Sequence, residues 1–370
     1  MADGAEECCV LVLQGGGALG AYQAGVYEAL AAAHHQPQWV AGISIGAINA
    51  ALIAGNPPER RVEALRTFWN RASSRIPLPS PFADGWGRRL FNEASAATVA
   101  MTGIPGFFTP RLCPPWAALP GSPESISLYD TAPLRESLLE LVDWNLLNTG
   151  PMRFSVGAVN VLTGNFVYFD NRDRWIGPEH VMASGALPPG FPPVLVDGEP
   201  YWDGGLVSNT PLQWVLDERA GETGAKPLLV FQVDLFSARG TMPRSLAEAA
   251  EREKDIRFSS RTRLNTDMQK RIEGLQAAAK RLAARLPAGF EDDPDLALLT
   301  AHACEGPVTI MHLINRPEDY ESHGKDYEFS RSTVQDHWRS GQGDVTRSLA
   351  SPRWKRRRIP ASGVVTLDLA

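Results

Sequence analysis

Apolar and polar positions switch between two periods from the start of the chain. Cys9 to Leu13 is an unbroken apolar run of strand length, after which Leu19, Tyr22, Val26 and Leu30 recur every three or four residues. The first pattern predicts a buried strand, and the second a helix from Ala18 to Ala33 with one apolar face. Trp39 to Ile43 repeats the strand pattern ahead of a second helix from Ala47. Strands followed so early by helices predict a parallel α/β sheet. Further along, Arg153 to Val161 and Asn165 to Phe169 read as strands joined by a Thr163-Gly164 turn. Ala132 to Val142 reads as a helix, and Leu228 to Asp234 and Val308 to Ile314 as buried strands.

Two stretches depart from this alternation. Ile76 to Pro123 is rich in Pro, Gly, Ser and aromatics, including Pro105-Gly106-Phe107-Phe108 and Pro114-Pro115-Trp116. It predicts a long irregular excursion that caps a site. From Arg261 to Leu286, the residues Leu264, Met268, Ile272, Leu275, Ala279, Leu282 and Leu286 form a heptad-like stripe opposite a basic face. That helix either packs on the core with its cations solvated, or docks on an anionic lipid surface. Arg353 to Arg358 adds a basic tail, read as solvated.

Composition narrows the classes. A 370-residue chain with 44% hydrophobic residues can bury a large core, and a net charge of −6 gives no general case for binding nucleic acid. Cys8, Cys9, Cys113 and Cys304 lack metal-ligand spacing and are read as reduced thiols of a cytoplasmic protein. Residues Met1 to Glu7 are acidic where a signal peptide would be basic, and no run reaches the roughly 18–20 apolar residues of a membrane span. Any contact with a membrane or storage granule is therefore expected to be peripheral.

Three short motifs carry candidate chemistry. Gly42-Ile43-Ser44-Ile45-Gly46 is a G-x-S-x-G sequence between a strand and a helix, the setting that exposes a nucleophilic serine on a sharp turn. The same residues also suit a tight turn with Ser44 as an ordinary helix N-cap. Gly15, Gly17 and Gly20 fit the dinucleotide fingerprint, which expects an acidic residue about 20 positions on. The chain has His34-His35-Gln36-Pro37-Gln38 there, which favours a nest of backbone N–H groups for an oxyanion. Asp203, followed by Gly204 and Gly205, is either an Asp-Gly turn or a loop carboxylate with little steric cover. None of the seven histidines sits in an evident catalytic motif.

Taken in order, these motifs resemble the patatin-like phospholipase family over roughly Val10 to Val233. The resemblance implies a three-layer α/β fold with a mainly parallel central sheet flanked by helices. It implies an acyl hydrolase domain over 8–235, and over 236–370 a helical C-terminal extension, found in a bacterial subfamily and packed on that domain. It assigns Ser44 as nucleophile, Asp203 as base, and Gly15, Gly16, Gly17 and Ile45 to the oxyanion hole. Gly20, Gly42, Gly46, Gly204 and Gly205 support the turns, with no metal and no cofactor. The family's glycine loop usually has Arg or Lys before its final glycine, where this chain has Leu19.

The expected activity is hydrolysis of lipid acyl esters by a Ser44–Asp203 dyad. Alternatives are a depolymerase or esterase for polyhydroxyalkanoate or other uncharged esters, a histidine-dependent α/β-hydrolase, and a non-catalytic lipid-surface-binding protein. A carboxylate near its reference pKa of roughly 3.9 is weakly basic, so partial desolvation beneath the cap is expected to raise it.

Overall fold

The apolar runs pair side by side in one sheet in the computed structural model. It describes residues 7–369 except 79, 83, 224–225, 260–270, 273, 276–277, 288–292, 301–305, 317–323 and 361–362. The strands in chain order are β1 (Cys8–Leu13), β2 (Trp39–Gly42), β3 (Thr109–Pro110), β4 (Tyr129–Asp130), β5 (Arg153–Asn160), β6 (Phe166–Asp170), β7 (Val194–Val196), β8 (Glu199–Asp203), β9 (Leu228–Asp234), β10 (Val308–Ile314) and β11 (Val364–Asp368). The main sheet runs β11-β10-β9-β1-β2-β5-β8-β7, with β6 also paired to β5. Its pairings from β11 through to β5 are parallel, while β6, β7 and β8 pair antiparallel.

Both faces of this sheet are covered, which is why its central strands read as continuous apolar runs rather than alternations. Leu11 and Leu13 of β1 belong to the larger buried cluster, and Val10 and Val12 to a second one with Leu212, Val215 and Leu216 of helix Leu212–Thr223. Against the larger cluster lie α1 (Gly20–Ala32), α2 (Ile45–Ala54) and α3 (Arg61–Ala72).

Helix α1 departs from the expected single apolar face: every residue from Gly20 to Tyr27 is buried. The second cover is the long C-terminal helix Arg331–Ala350. A Cβ on Gly25 would overlap the Trp338 carbonyl, and one on Gly341 would overlap the Tyr22 carbonyl, so the two backbones approach without side chains between them. Polar groups on this interface find partners, Tyr22 Oη donating to Asp344 Oδ2 at 2.6 Å and Trp338 Nε1 to Glu28 Oε2 at 2.6 Å. The C-terminal segment thus carries helices and also adds β10 and β11 to the sheet.

The excursion expected over Ile76 to Pro123 is not irregular throughout. It contains an 18-residue helix, α4 (Gly85–Thr102), followed by the small β3–β4 sheet. The buried face of α4 carries Arg88, Asn92 and Ser95 while Trp86, Leu90 and Met101 are exposed, an arrangement invisible to an apolar-period reading. The heptad stripe expected over Arg261 to Leu286 begins outside the described residues. Its described part is helical at residues 271–272, 274–275 and 278–283, with Leu275 71% and Leu282 62% exposed. Among the described residues no helix is long and apolar enough to cross a membrane.

Candidate active site

Register on β5 brings together two turns that are far apart in sequence. Strand β2 pairs with Arg153 to Val156, and β8 pairs with Ala158 to Asn160. Residues Val156 and Ala158 both also pair with β6, so β2 and β8 must share the opposite edge of β5. They abut there end to end, with Gly157 at the join. The loop leaving β2 carries Ser44, and the last residue of β8 is Asp203.

Ser44 sits at the N-cap position of α2 with φ 55° and ψ −122°, and its side chain makes no capping hydrogen bond. A positive φ on a non-glycine residue costs about 1–3 kcal/mol and persists only where the surroundings enforce it. Here they do. The Ser44 N–H donates to Ser184 Oγ at 3.0 Å, and Ser184 Oγ in turn donates to the Gly157 carbonyl at 2.7 Å. A Cβ on Gly42 would overlap the Gly46 carbonyl and one on Gly46 the Leu13 carbonyl, so the bend closes only with glycine at both ends. The N-cap alternative therefore lacks its defining contact, and the hydroxyl is left for other work.

Asp203 is 2% exposed. Burial pushes its pKa up from 3.8 to about 7, against the opposing pull of hydrogen bonds from the Ser44 side chain and the Gly205 N–H. The latter spans 2.7 Å to Asp203 Oδ1. The Asp203 N–H is held by the Ala186 carbonyl at 3.0 Å, which fixes where the strand ends. The Asp-Gly turn and the loop carboxylate prove to be one feature, since Gly205 turns back onto the side chain.

The glycine loop follows β1. Gly15, assigned to the oxyanion hole by resemblance, has its N–H committed to the Asn209 carbonyl at 3.2 Å, and Asn209 Nδ2 donates to the Gly15 carbonyl at 3.0 Å. Gly15 is thus corrected from donor to spacer: a Cβ there would meet Ser44 Cβ at 3.0 Å. The N–H groups of Gly16, Gly17 and Ile45 have no acceptor among the described residues. Gly17 has φ 56°, the left-handed region that glycine tolerates. Gly20 packs against Ile45 and Trp69, and Gly204 against the Gly157 carbonyl.

Ser44, Asp203, Gly15, Gly16, Gly17 and Ile45 open on one cavity of about 630 Å³. Its apolar wall comes from Ile45 and Ile48 of α2, Ala96, Ala97 and Ala100 of α4, Phe107, Phe108, Leu128, Phe191, Phe236 and Phe329. The Pro-rich segment Leu187 to Phe191 and helix α4 both line it, so the expected cap has a structural counterpart. No described histidine lines it, while His302 and His323 lie outside the described residues. Among the described residues no group of three or more His, Cys, Asp or Glu side chains could hold a metal ion.

A family model described as patatin-like phospholipase matches residues 11–216. The chain belongs to that family. Membership supports a lipid acyl hydrolase, and the matched span ends beyond both Ser44 and Asp203. A second model, described as patatin phospholipase, matches residues 256–361, so the C-terminal segment of this patatin-like protein is a family feature as well. No curated protein sequence matches the chain. Among solved structures, VipD from Legionella pneumophila is similar at 13% identity and a TM-score of 0.38. The match covers 92% of this chain and 66% of that one. At that level the fold assignment rests on the family model and on the sheet itself.

Several residues of the patatin-like site carried no signal in the sequence. Ser184, which braces the Ser44 bend, and Asn209, which braces the glycine loop, are lone polar residues whose partners are remote in sequence. Lys254 and Arg257 also reach the cavity, from the helix Leu246–Phe258 in the C-terminal segment. Lys254 Nζ pairs there with Asp326 Oδ1 at 2.6 Å.

Proposed function

We propose that this protein hydrolyses lipid acyl esters through a covalent acyl-Ser44 intermediate, with Asp203 as the proton carrier. The observation that carries the reading is that Ser44, held at positive φ, lines the same cavity as a buried carboxylate whose pKa is raised to about 7 and on which the Ser44 side chain acts. A carboxylate in its usual range is a poor base toward a serine hydroxyl; one near neutrality is matched to proton transfer at working pH.

In the first half-reaction Ser44 Oγ attacks the ester carbonyl as its proton passes to Asp203. The negative charge that develops on the carbonyl oxygen is received by the N–H groups of Gly16, Gly17 and Ile45, which carry no competing acceptor among the described residues. Collapse breaks the bond to the alkoxide, and Asp203 returns the proton to the leaving alcohol. In the second half-reaction water attacks the acyl-serine, gives its proton to Asp203, and Ser44 leaves with that proton restored. The apolar wall around Ser44 suits an acyl chain.

A fluorophosphonate probe, with peptide mapping of the adduct, tests the nucleophile. Labelling of Ser44 that is lost in Ser44→Ala supports the reading, and a protein that stays unlabelled defeats it in favour of a binding role. A panel of phospholipid, triglyceride, short aryl ester and hydroxyalkanoate oligomer then separates a lipid hydrolase from a polyester depolymerase.

A further inference from the structure

The charged residues lining the cavity are Asp203, Lys254, Arg257 and Asp326. Lys254 and Asp326 neutralise each other. Asp203 is the proton carrier in the reading above. Arg257 remains. Among the described residues it has no carboxylate within ion-pair distance, and its recorded contact is the face of the Phe258 ring, 5.4 Å from the guanidinium. The glycine loop brings no charge of its own, since Leu19 is fully buried.

The backbone beside Arg257 is held in place. The carbonyl of the next residue, Phe258, accepts from Gln14 Nε2 at 3.1 Å and from Asn209 Nδ2 at 2.9 Å. Asn209 is the residue that braces Gly15, so the end of the helix Leu246–Phe258 is tied directly to the glycine loop. The Phe258 ring packs on Phe236, another cavity residue, with centroids 5.6 Å apart. A guanidinium at the edge of an apolar cavity, with its donors uncommitted to a carboxylate among the described residues, is a receptor for a planar or tetrahedral oxyanion.

We propose that Arg257 binds an anionic group on the substrate, a phosphate or a carboxylate, while the ester lies against Ser44. This rests on the acyl-ester reading of the same cavity and adds the substrate's charge to it. The cation comes from the C-terminal segment, which gives that segment a part in substrate selection. Because Arg257 is exposed, its grip is screened by solvent and weakens with salt.

The test compares kcat/KM within two matched pairs: phosphatidic acid against diacylglycerol, and the 4-nitrophenyl monoester of glutaric acid against 4-nitrophenyl valerate. In the full-length protein, Arg257→Ala should lower the anionic-to-neutral ratio about 10- to 100-fold, the range of one charge-assisted hydrogen bond. Arg257→Lys should keep most of the preference, Arg257→Glu should reverse it, and added salt should erode it in the wild type. A fall in the first pair identifies the anion as a lipid phosphate, and a fall in the second as a carboxylate. If Arg257→Ala changes neither ratio by more than about twofold, the proposal is wrong. Turnover surviving in Ser44→Ala would instead sink the acyl-serine reading and leave the ratios measurable.

Discussion

The turn at Ser44 holds its residue at φ 55° and ψ −122°, whereas the turn at Asp203 leaves ordinary backbone at φ −51° and ψ 130°. Ser44 is partly exposed to the cavity, while Asp203 is almost wholly buried. The first position stores free energy as backbone strain, and the second stores it as a desolvated acid. Both costs are met by the same scaffold, because the two strands end against each other on β5. Strain sets where the hydroxyl stands, and burial sets how readily the carboxylate takes its proton. The proposed nucleophile and base are thus prepared by different physics and still delivered to one spot by sheet register.

The hardest test of that division is catalysis. Ser44→Ala and Asp203→Asn should each lower kcat by at least about 1000-fold, because each removes a group that the other cannot replace. Pre-steady-state kinetics should divide them further. With an aryl ester the wild type should give a burst of acyl-enzyme, and neither variant should. Substitution of any described histidine, by contrast, should leave kcat close to wild type, since none lines the cavity. An essential described histidine would break the comparison at its root.

Stability should sort the two residues by the kind of cost each carries. Asp203 has its folded pKa raised to about 7, so the folded state favours the protonated acid. That contribution is fully present below the unfolded pKa and is lost as pH rises through the folded value. Asp203→Asn should therefore stabilise the protein by up to about 4 kcal/mol at pH 8, with the gain vanishing below about pH 4. Ser44→Gly removes strain instead, and should stabilise by about 1 kcal/mol at low pH, with the gain shrinking above pH 7 as ionised Asp203 misses the Ser44 side chain. Thermal unfolding across pH 4 to 8 measures both. In activity the sign reverses. Because the base must be ionised, kcat/KM should climb with pH along a one-proton limb centred near pH 7, then level off.

How much of this could be read from the chain follows the same physics. The strands at Leu228–Asp234 and Val308–Ile314 were legible because burial on both faces leaves an unbroken apolar run. The serine turn and Asp203 were legible because the close backbone approach demands glycines at fixed offsets. Helix α4 was not, since its buried face is largely polar, through Arg88, Asn92 and Ser95, while Trp86, Leu90 and Met101 are exposed. Nor was the loss of the Gly15 donor, which depends on Asn209 arriving from 194 residues away. Arg257 was hidden for a related reason. A cation in a helix reads as solvated until the packing of Phe258 across the glycine loop is known. The family model's match to residues 11–216 covers the legible part of the site, whereas Lys254, Arg257 and Asp326 lie beyond it.

The smallest effect expected is the most diagnostic of how the strained turn is held. Ser184 Oγ accepts from the Ser44 N–H and donates to Gly157, the β5 residue at the join between β2 and β8. Ser184→Ala removes both bonds and leaves a buried carbonyl and a strained N–H without partners, costing about 1–3 kcal/mol of stability. The bend then relaxes toward ordinary backbone, and kcat should fall by about tenfold as Ser44 spends less time in attacking position. The midpoint of the pH limb should move little, because burial, which this substitution leaves in place, is the largest cause of the shift at Asp203. A displaced midpoint in Ser184→Ala would mean that strain at Ser44 and desolvation at Asp203 are one coupled device rather than two separate ones.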